Sequence, residues 1–263
     1  MMRTRCFLLA AGASLALAFT FSCSSDDWEA ASFIDERNGK EYKTTVIGTQ
    51  TWMAENLNYD AEGSKCYGED GIVHDLTNDD YTLSEIEIQA NCLKYGRLYG
   101  WATAMALSSD LGCDSIRCSD QIDYPHQGIC PDGWHIPSNS EWEELSRYVD
   151  NRNNGHGLKD QYDGYYKSQT AGKYLKTKSG WDEGRNGTDK YGFSALPGGL
   201  YSSSGAFFAE VGNHGYWWSI NEYGEYNRVY AYEYNIYGNW FSPNREFKGY
   251  LLSVRCIKDL TVP

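Results

Sequence analysis

Short strand-like runs separated by turn residues open the chain's domain after residue 33, and a helical period is clearest after Pro137. Residues 33–59, FIDERNGKEYKTTVIGTQTWMAENLNY, carry Asn38-Gly39 between two strand-like runs. Both positions tolerate positive φ, so the pair predicts a two-residue hairpin turn. Gly48-Thr49-Gln50 supplies a second turn before Thr51-Trp52-Met53, and an antiparallel meander is expected. Residues 60–92 are polar and acidic and read as an excursion between Cys66 and Cys92. Tyr95 to Gly100 is strand-like and runs into Trp101 to Leu107, where Ala and Met predict a short helix.

The helical period is clearest after Pro137. Ser138 as N-cap with Glu141 at N3 forms a capping box, while Trp142, Leu145 and Val149 fall at i, i+3 and i+7 on one face. A helix over about 139–150 follows. Beyond it Gly, Asn, Asp and Tyr dominate, with strands expected at 193–196, 215–220, 228–234 and 251–258. Helices in the first half and antiparallel strands in the second predict an α+β domain.

Arg3 and Arg5 precede an apolar run from Phe7 to Phe21, the layout of a secretory signal, so residues 1–22 are expected to be removed. The run of 15 residues is short of the roughly 20 needed to span a membrane. Ser22-Cys23 closes it and Ser24-Ser25-Asp26-Asp27 follows, which resembles a bacterial lipoprotein signal with Cys23 as the lipidated residue. Thr20 stands where an aliphatic residue is usual, and a free secreted protein cut nearby is the alternative. Residues 23–32 then read as a lipidated tether and 33–260 as one domain. The expected location is the cell envelope, as an outer-membrane lipoprotein facing outward.

Composition narrows the partners. The 263 residues are 41% hydrophobic and 15% aromatic, enough for a packed core, and 6 Pro with no low-complexity tract leave no interior linker. The formal charge is -13, and loss of a leader with two basic and no acidic residues takes it to -15. Nucleic acid would have to bind against that field and is not expected as a partner. Apart from Cys6 and Cys23, six cysteines remain: Cys66, Cys92, Cys113, Cys118, Cys130 and Cys256. An even count in an exported chain predicts three disulfides, of which fifteen sets are possible. A zinc site would need tighter pairs, and the five histidines are scattered singly.

Candidate chemistry is sparse. No phosphate loop or HExxH occurs; His135 lies in the helix-entry motif as a packing or hydrogen-bonding residue, and His214 in a turn, so no catalytic residue is assigned. Asp182, Glu183, Asn186 and Asp189 share a Gly-containing loop of oxygen ligands, the donor set calcium takes, but EF-hand spacing is absent and a polar loop is the simpler reading. The remaining feature is the aromatic, amide-rich stretch from Tyr216 to Phe247. Rigid aromatics among adaptable amides are the composition of recognition surfaces. Tyr223, Tyr237, Trp240 and Phe241 are the candidate anchors, with Asn235, Asn239 and Asn244 as hydrogen-bonding partners. An ordinary sheet is the competing reading, since Tyr230, Tyr232 and Tyr234 alternate onto one face.

Seven motifs in order carry a family resemblance: YKTTVIGTQTWMAENLNY, YGRLYGWATAM, CPDGWHIPSNSEWEEL, AGKYLKTKSGW, GTDKYGFSALPGGLY, GYWWS and SVRCIKD. Together they resemble the Fibrobacter succinogenes major paralogous domain, a family of exported, often lipid-anchored surface proteins whose members mostly have no assigned activity. More distantly, GWHIPSNSEWEEL is similar to the second-helix entry of C-type-lectin-like domains and to formylglycine-generating enzyme relatives, while GGLY, GYWWS and SVRC are similar to later strands of that fold. The resemblance implies a C-type-lectin-like fold of two helices, small antiparallel sheets and long loops stapled by disulfides. It also implies a Cys130–Cys256 tie of the last strand to the first half, with Cys66–Cys92 closing the excursion and Cys113–Cys118 a small ring. The formylglycine-generating enzymes use two neighbouring redox cysteines near the C-terminus, of which only Cys256 has a counterpart here. Related lectin-like proteins bind ligand through the part of the fold that Tyr216 to Phe247 would form. A surface binding module for a carbohydrate or protein is therefore expected, with a structural envelope protein and a divergent enzyme as the alternatives.

Overall fold

The computed structural model describes residues 7–8, 21–22, 31–75, 79–161, 164–224 and 230–260. Cys23 and the leader lie outside the described residues, apart from a pairing of Phe7–Leu8 with Phe21–Ser22.

Strands β1 (Ala31–Asp35) and β2 (Lys40–Ile47) make the expected hairpin, and β3 (Gln50–Met53) completes the meander. The first turn holds four residues rather than two. The Asp35 carboxylate accepts the Arg37 amide (3.1 Å), the Asn38 and Gly39 amides donate to the Asp35 carbonyl, and Gly39 takes φ +73°.

After β4 (Ile72–Val73) the acidic excursion, expected as a polar loop, contains a helix, α1 (Glu85–Tyr95). Ser84 and Glu87 close a capping box, and Ile88, Cys92 and Tyr95 bury one face. β5 (Leu98–Tyr99) leads into α2 (Trp101–Ala104), shorter than expected because Ala106 turns left-handed at φ +51°. β6 (Trp134–His135) then enters α3 (Asn139–Arg152), whose capping box and buried Trp142, Leu145 and Val149 follow the expected pattern. Next come β7 (Gly157–Lys159), β8 (Tyr166–Ser168) and the short α4 (Ala171–Leu175). The strand expected at 193–196 is replaced by a single Lys176–Ala195 bridge, with Ser194 at φ +53°.

The second half supplies β9 (Gly198–Ser202), β10 (Phe207–Val211), β11 (Gly215–Glu222) and β12 (Tyr230–Tyr237). β13 (Trp240–Phe247), β14 (Leu252–Ser253) and β15 (Ile257–Lys258) close the chain. The strands form a five-stranded sheet ordered β1-β2-β3-β15-β6, a seven-stranded sheet β5-β14-β11-β12-β13-β8-β7 and a three-stranded sheet β9-β10-β4. Helix and sheet are thus mixed, with four helices among the described residues rather than the two expected. Strand pairings are antiparallel except β4 with β10 and β11 with β14.

Adjacent tryptophans of β11 point to opposite faces of the large sheet, as strand geometry requires. Trp218 packs with Tyr99, Trp101 and Ile220 on one side, and Trp217 with Trp142, Phe193, Tyr234 and Phe241 on the other. Three disulfides cross-link the chain: Cys130–Cys256, Cys66–Cys92 and Cys113–Cys118, at Cα separations of 6.0, 4.9 and 5.7 Å.

Four of the sequence motifs meet at one buried amide. Asn56 Oδ1 accepts from Trp217 Nε1 (2.8 Å) and Arg255 Nη2 (2.6 Å), while Asn56 Nδ2 donates to the Tyr95 carbonyl (2.8 Å). Arg255 is fully buried between Phe193 and Trp217, with its guanidinium carbon 4.4 and 5.6 Å from their ring centres, and burial pulls its pKa down to about 9. These motif residues hold the scaffold together.

Candidate functional site

Strand alternation divides the β12–β13 hairpin into two faces. Tyr234 pairs with Pro243 and Ile236 with Phe241; all four are buried, and Tyr234, Ile236 and Phe241 share a core with residues of α3 and α4. Asn235 pairs with Ser242 and Tyr237 with Trp240, and these point the other way. Tyr237 is 50% exposed and Trp240 48%. Phe241 does not join them: it is fully buried, because it lies one residue from Trp240 on a strand and so faces the core.

Asn239 and Asn244 are exposed and Asn235 is half-buried, so the three amides border the same outward face. Tyr223 is set apart from it. The Arg245 guanidinium lies 4.6 Å from its ring centre and donates to its hydroxyl. The side chains of Tyr230 and Tyr232 lie outside the described residues.

The outward face is backed at its tip by α4. Gly172 donates its amide to the Asn239 carbonyl (3.0 Å), and a Cβ on Gly172 would come within 2.6 Å of the Trp240 carbonyl.

A second element abuts this face. His214 stacks on Tyr237 at 4.5 Å between ring centres and 8° between planes, and on Tyr216 at 5.4 Å and 12°. Its Nδ1 is 2.8 Å from Glu210 Oε2. The hydrogen bond from His214 holds the Glu210 carboxyl below its usual range, against the opposing effect of burial. Glu210 stands inside β10 at φ +67°, a left-handed conformation costly for a residue with a Cβ. Its carbonyl accepts from the amides of Asn213 (3.1 Å) and His214 (3.0 Å).

Beyond Glu210 lies a cleft of about 800 Å³, within the size range of small-ligand sites. Tyr67, Tyr81, Tyr95 and Trp181 line it, and Tyr81 is 44% exposed. Asp75, Asp182 and Glu210 bring carboxylates, while Lys94, His74 and Asn213 bring nitrogen donors. The Asp182 carboxylate packs so closely on Gly212, at φ +86°, that a Cβ there would meet Oδ2 at 2.2 Å. Neither this cleft nor Glu210 leaves a local sequence signal, since the lining comes from four separated segments.

The loop considered for calcium uses its oxygens locally. Asn186 Oδ1 accepts the Trp181 amide (3.0 Å), and the Asp189 carboxylate accepts the amide and hydroxyl of Ser194 (2.8 Å each). Glu183's side chain lies outside the described residues. Among the described residues no group of three or more His, Cys, Asp or Glu side chains is arranged to hold a metal.

His135 is a hydrogen-bonding residue, one of the two roles its motif implied. It contacts Glu141 (2.9 Å) and Asp259 (2.6 Å), joining the α3 entry to the closing strand. Burial opposes its charge, but these two carboxylates raise its pKa above the usual histidine value.

The model of the Fibrobacter succinogenes major domain matches residues 46–258. The chain belongs to that family. The matched span therefore includes both tryptophans of β11, all three disulfides, the outward hairpin face and the cleft. No curated protein and no solved structure shows significant similarity to the chain. Among the described residues no helix is long and apolar enough to cross a membrane.

Proposed function

We propose that this Fibrobacter major domain is a non-catalytic binding module, displayed at the cell surface, that captures a carbohydrate or protein ligand. The observation that carries the reading is the outward face of the β12–β13 hairpin, where Tyr237 and Trp240 stand about half exposed next to Asn239, with the exposed Asn244 further along the same strand. Large aromatics left in water beside amides fit recognition better than folding, which buries such rings. The family motifs support the same division, since Asn56, Trp217, Arg255 and His135 are occupied inside the scaffold. Phe241 and Tyr234 belong with that scaffold, as the structural alternative had it for the whole segment.

The reading includes a C-type-lectin-like architecture. Pairing of the closing strand β15 with β3 and β6, and the Cys130–Cys256 tie, agree with that topology. It also includes removal of residues 1–22 and lipidation of Cys23, which would hold the domain at the outer membrane facing outward. Mass spectrometry of the amino-terminal peptide from the native host tests the anchor: an acylated Cys23 is expected, and an unmodified start elsewhere would refute it. Screening the domain against glycans, polysaccharides and envelope proteins, with and without calcium, tests the function. Reproducible capture of one ligand is expected, and a blank screen in both conditions would count against a binding module.

A further inference from the structure

The outward hairpin face and the cleft share a boundary. Tyr237 stacks on His214, His214 bonds to Glu210, and Glu210 lines the cleft. A ligand long enough to leave the cleft past Glu210 and Asn213 meets the Tyr216–His214–Tyr237 stack next and then Trp240, the cross-strand partner of Tyr237.

The chemistry of the lining selects the ligand. The carboxylates of Asp75, Asp182 and Glu210 accept hydrogen bonds, whereas Lys94 and Asn213 donate them, so the lining offers both kinds of partner. Hydroxyl groups satisfy both kinds of partner, and the exposed Tyr81 ring offers an apolar face for the C–H side of a sugar ring. An anionic ligand would meet three carboxylates and a chain of formal charge -13. A cationic one would meet the Lys94 ammonium, and Glu210 already has His214 as its partner.

We propose that the cleft and the outward face form one continuous track for a neutral oligosaccharide, with one end in the cleft and the chain crossing Tyr237 to Trp240. This rests on the binding-module reading and narrows its ligand class.

The test titrates the full chain with hexasaccharides of glucose, xylose and mannose, with hexagalacturonate as the anionic probe and a glucosamine hexamer as the cationic one. Wild type is compared with Tyr81→Ala and Asp182→Asn in the cleft and Trp240→Ala on the face, each checked for an unchanged melting temperature. Tyr81 is exposed, so its variant keeps the test open should Asp182→Asn misfold. The expected result is binding of at least one neutral hexasaccharide, with affinity lowered at least about tenfold by Trp240→Ala and by a cleft variant. If Trp240→Ala weakens binding while both cleft variants leave it unchanged, the track is wrong and the binding-module reading stands. Preference for the charged probes would overturn the neutral class. Failure of every saccharide to bind would overturn the proposal outright, leaving a protein ligand to the wider screen.

Discussion

The rings of His214 and Tyr237 lie parallel at 4.5 Å, joining a turn residue to the tip of a hairpin. The contact extends on one side to Tyr216 and on the other to the Arg185 guanidinium, whose carbon is 5.5 Å from the Tyr237 centre. It thereby holds one aromatic of the outward face in place, while Trp240 beside it is half exposed. Pre-ordering of a contact ring lowers the entropy lost when a ligand lands on it.

Neighbouring hairpin residues should separate stability from binding. Phe241→Ala removes a fully buried ring from the second core and is expected to cost about 3–5 kcal/mol in denaturant unfolding. Trp240→Ala removes a half-exposed ring and should change stability by no more than about 1 kcal/mol. Equal losses for the two variants would mean that Trp240 is packed as scaffold.

His135 makes stability depend on pH. Its folded pKa is raised, so its contribution is fully present below the unfolded value near 6.5 and is lost as pH rises through the folded value. Glu141 is shifted down: burial opposes its charge, but hydrogen bonds from His135 and Ser138 prevail. Its contribution is present above about 4.5 and is lost as pH falls through the folded value. The pair should therefore support the fold best between about 4.5 and 6.5. Melting temperatures of wild type and His135→Gln at pH 6 and 8 check this. The difference between the two proteins should shrink toward pH 8, and a constant difference would rule out the charged pair.

Lys248 is a buried cation with several partners. Its ammonium donates to the carbonyls of Cys113 (3.0 Å) and Ile116 (2.8 Å) and pairs with Glu222, over the Trp101 ring at 4.5 Å. Lys248→Met would leave the Glu222 carboxylate buried with only the Arg117 guanidinium, 4.0 Å away, as a cation among the described residues, at an expected cost of up to about 3–5 kcal/mol. Adding Glu222→Gln should recover part of that loss in a double-mutant cycle. Additive losses would show that the pair is not coupled.

Among the disulfides, Cys130–Cys256 should matter most, because it joins residues 126 apart, against 5 for Cys113–Cys118. The chain-entropy model assigns about 5 kcal/mol to the long loop and about 2 kcal/mol to the short ring. Paired Cys→Ser variants, compared by denaturant midpoint, check the order. A larger loss from the Cys113/Cys118 variant would reverse it.

What could be read in advance depended on the range of the interaction. The α3 capping box and its Trp142, Leu145 and Val149 face are local, and they stand as the sequence implied. The second capping box, Ser84 with Glu87, was equally local, but its acidic setting and exposed Ile86 and Leu93 hid the Ile88, Cys92, Tyr95 stripe. Phe241 was misplaced by composition, which counts aromatics without regard to strand parity. The disulfide pairs came from the family resemblance, not from spacing. The Asn56–Arg255 contact links residues 199 apart, and the cleft draws on four segments, so neither leaves a local pattern.

The central claim is that the outward face of the β12–β13 hairpin captures the ligand. It is tested most directly by titrating folded wild type and a Tyr237→Ala/Trp240→Ala double variant with the same ligand from the binding screen. A drop in affinity of at least about tenfold, with the melting temperature nearly unchanged, is the predicted result. Undiminished binding by the folded double variant would contradict the account and make this face part of the scaffold.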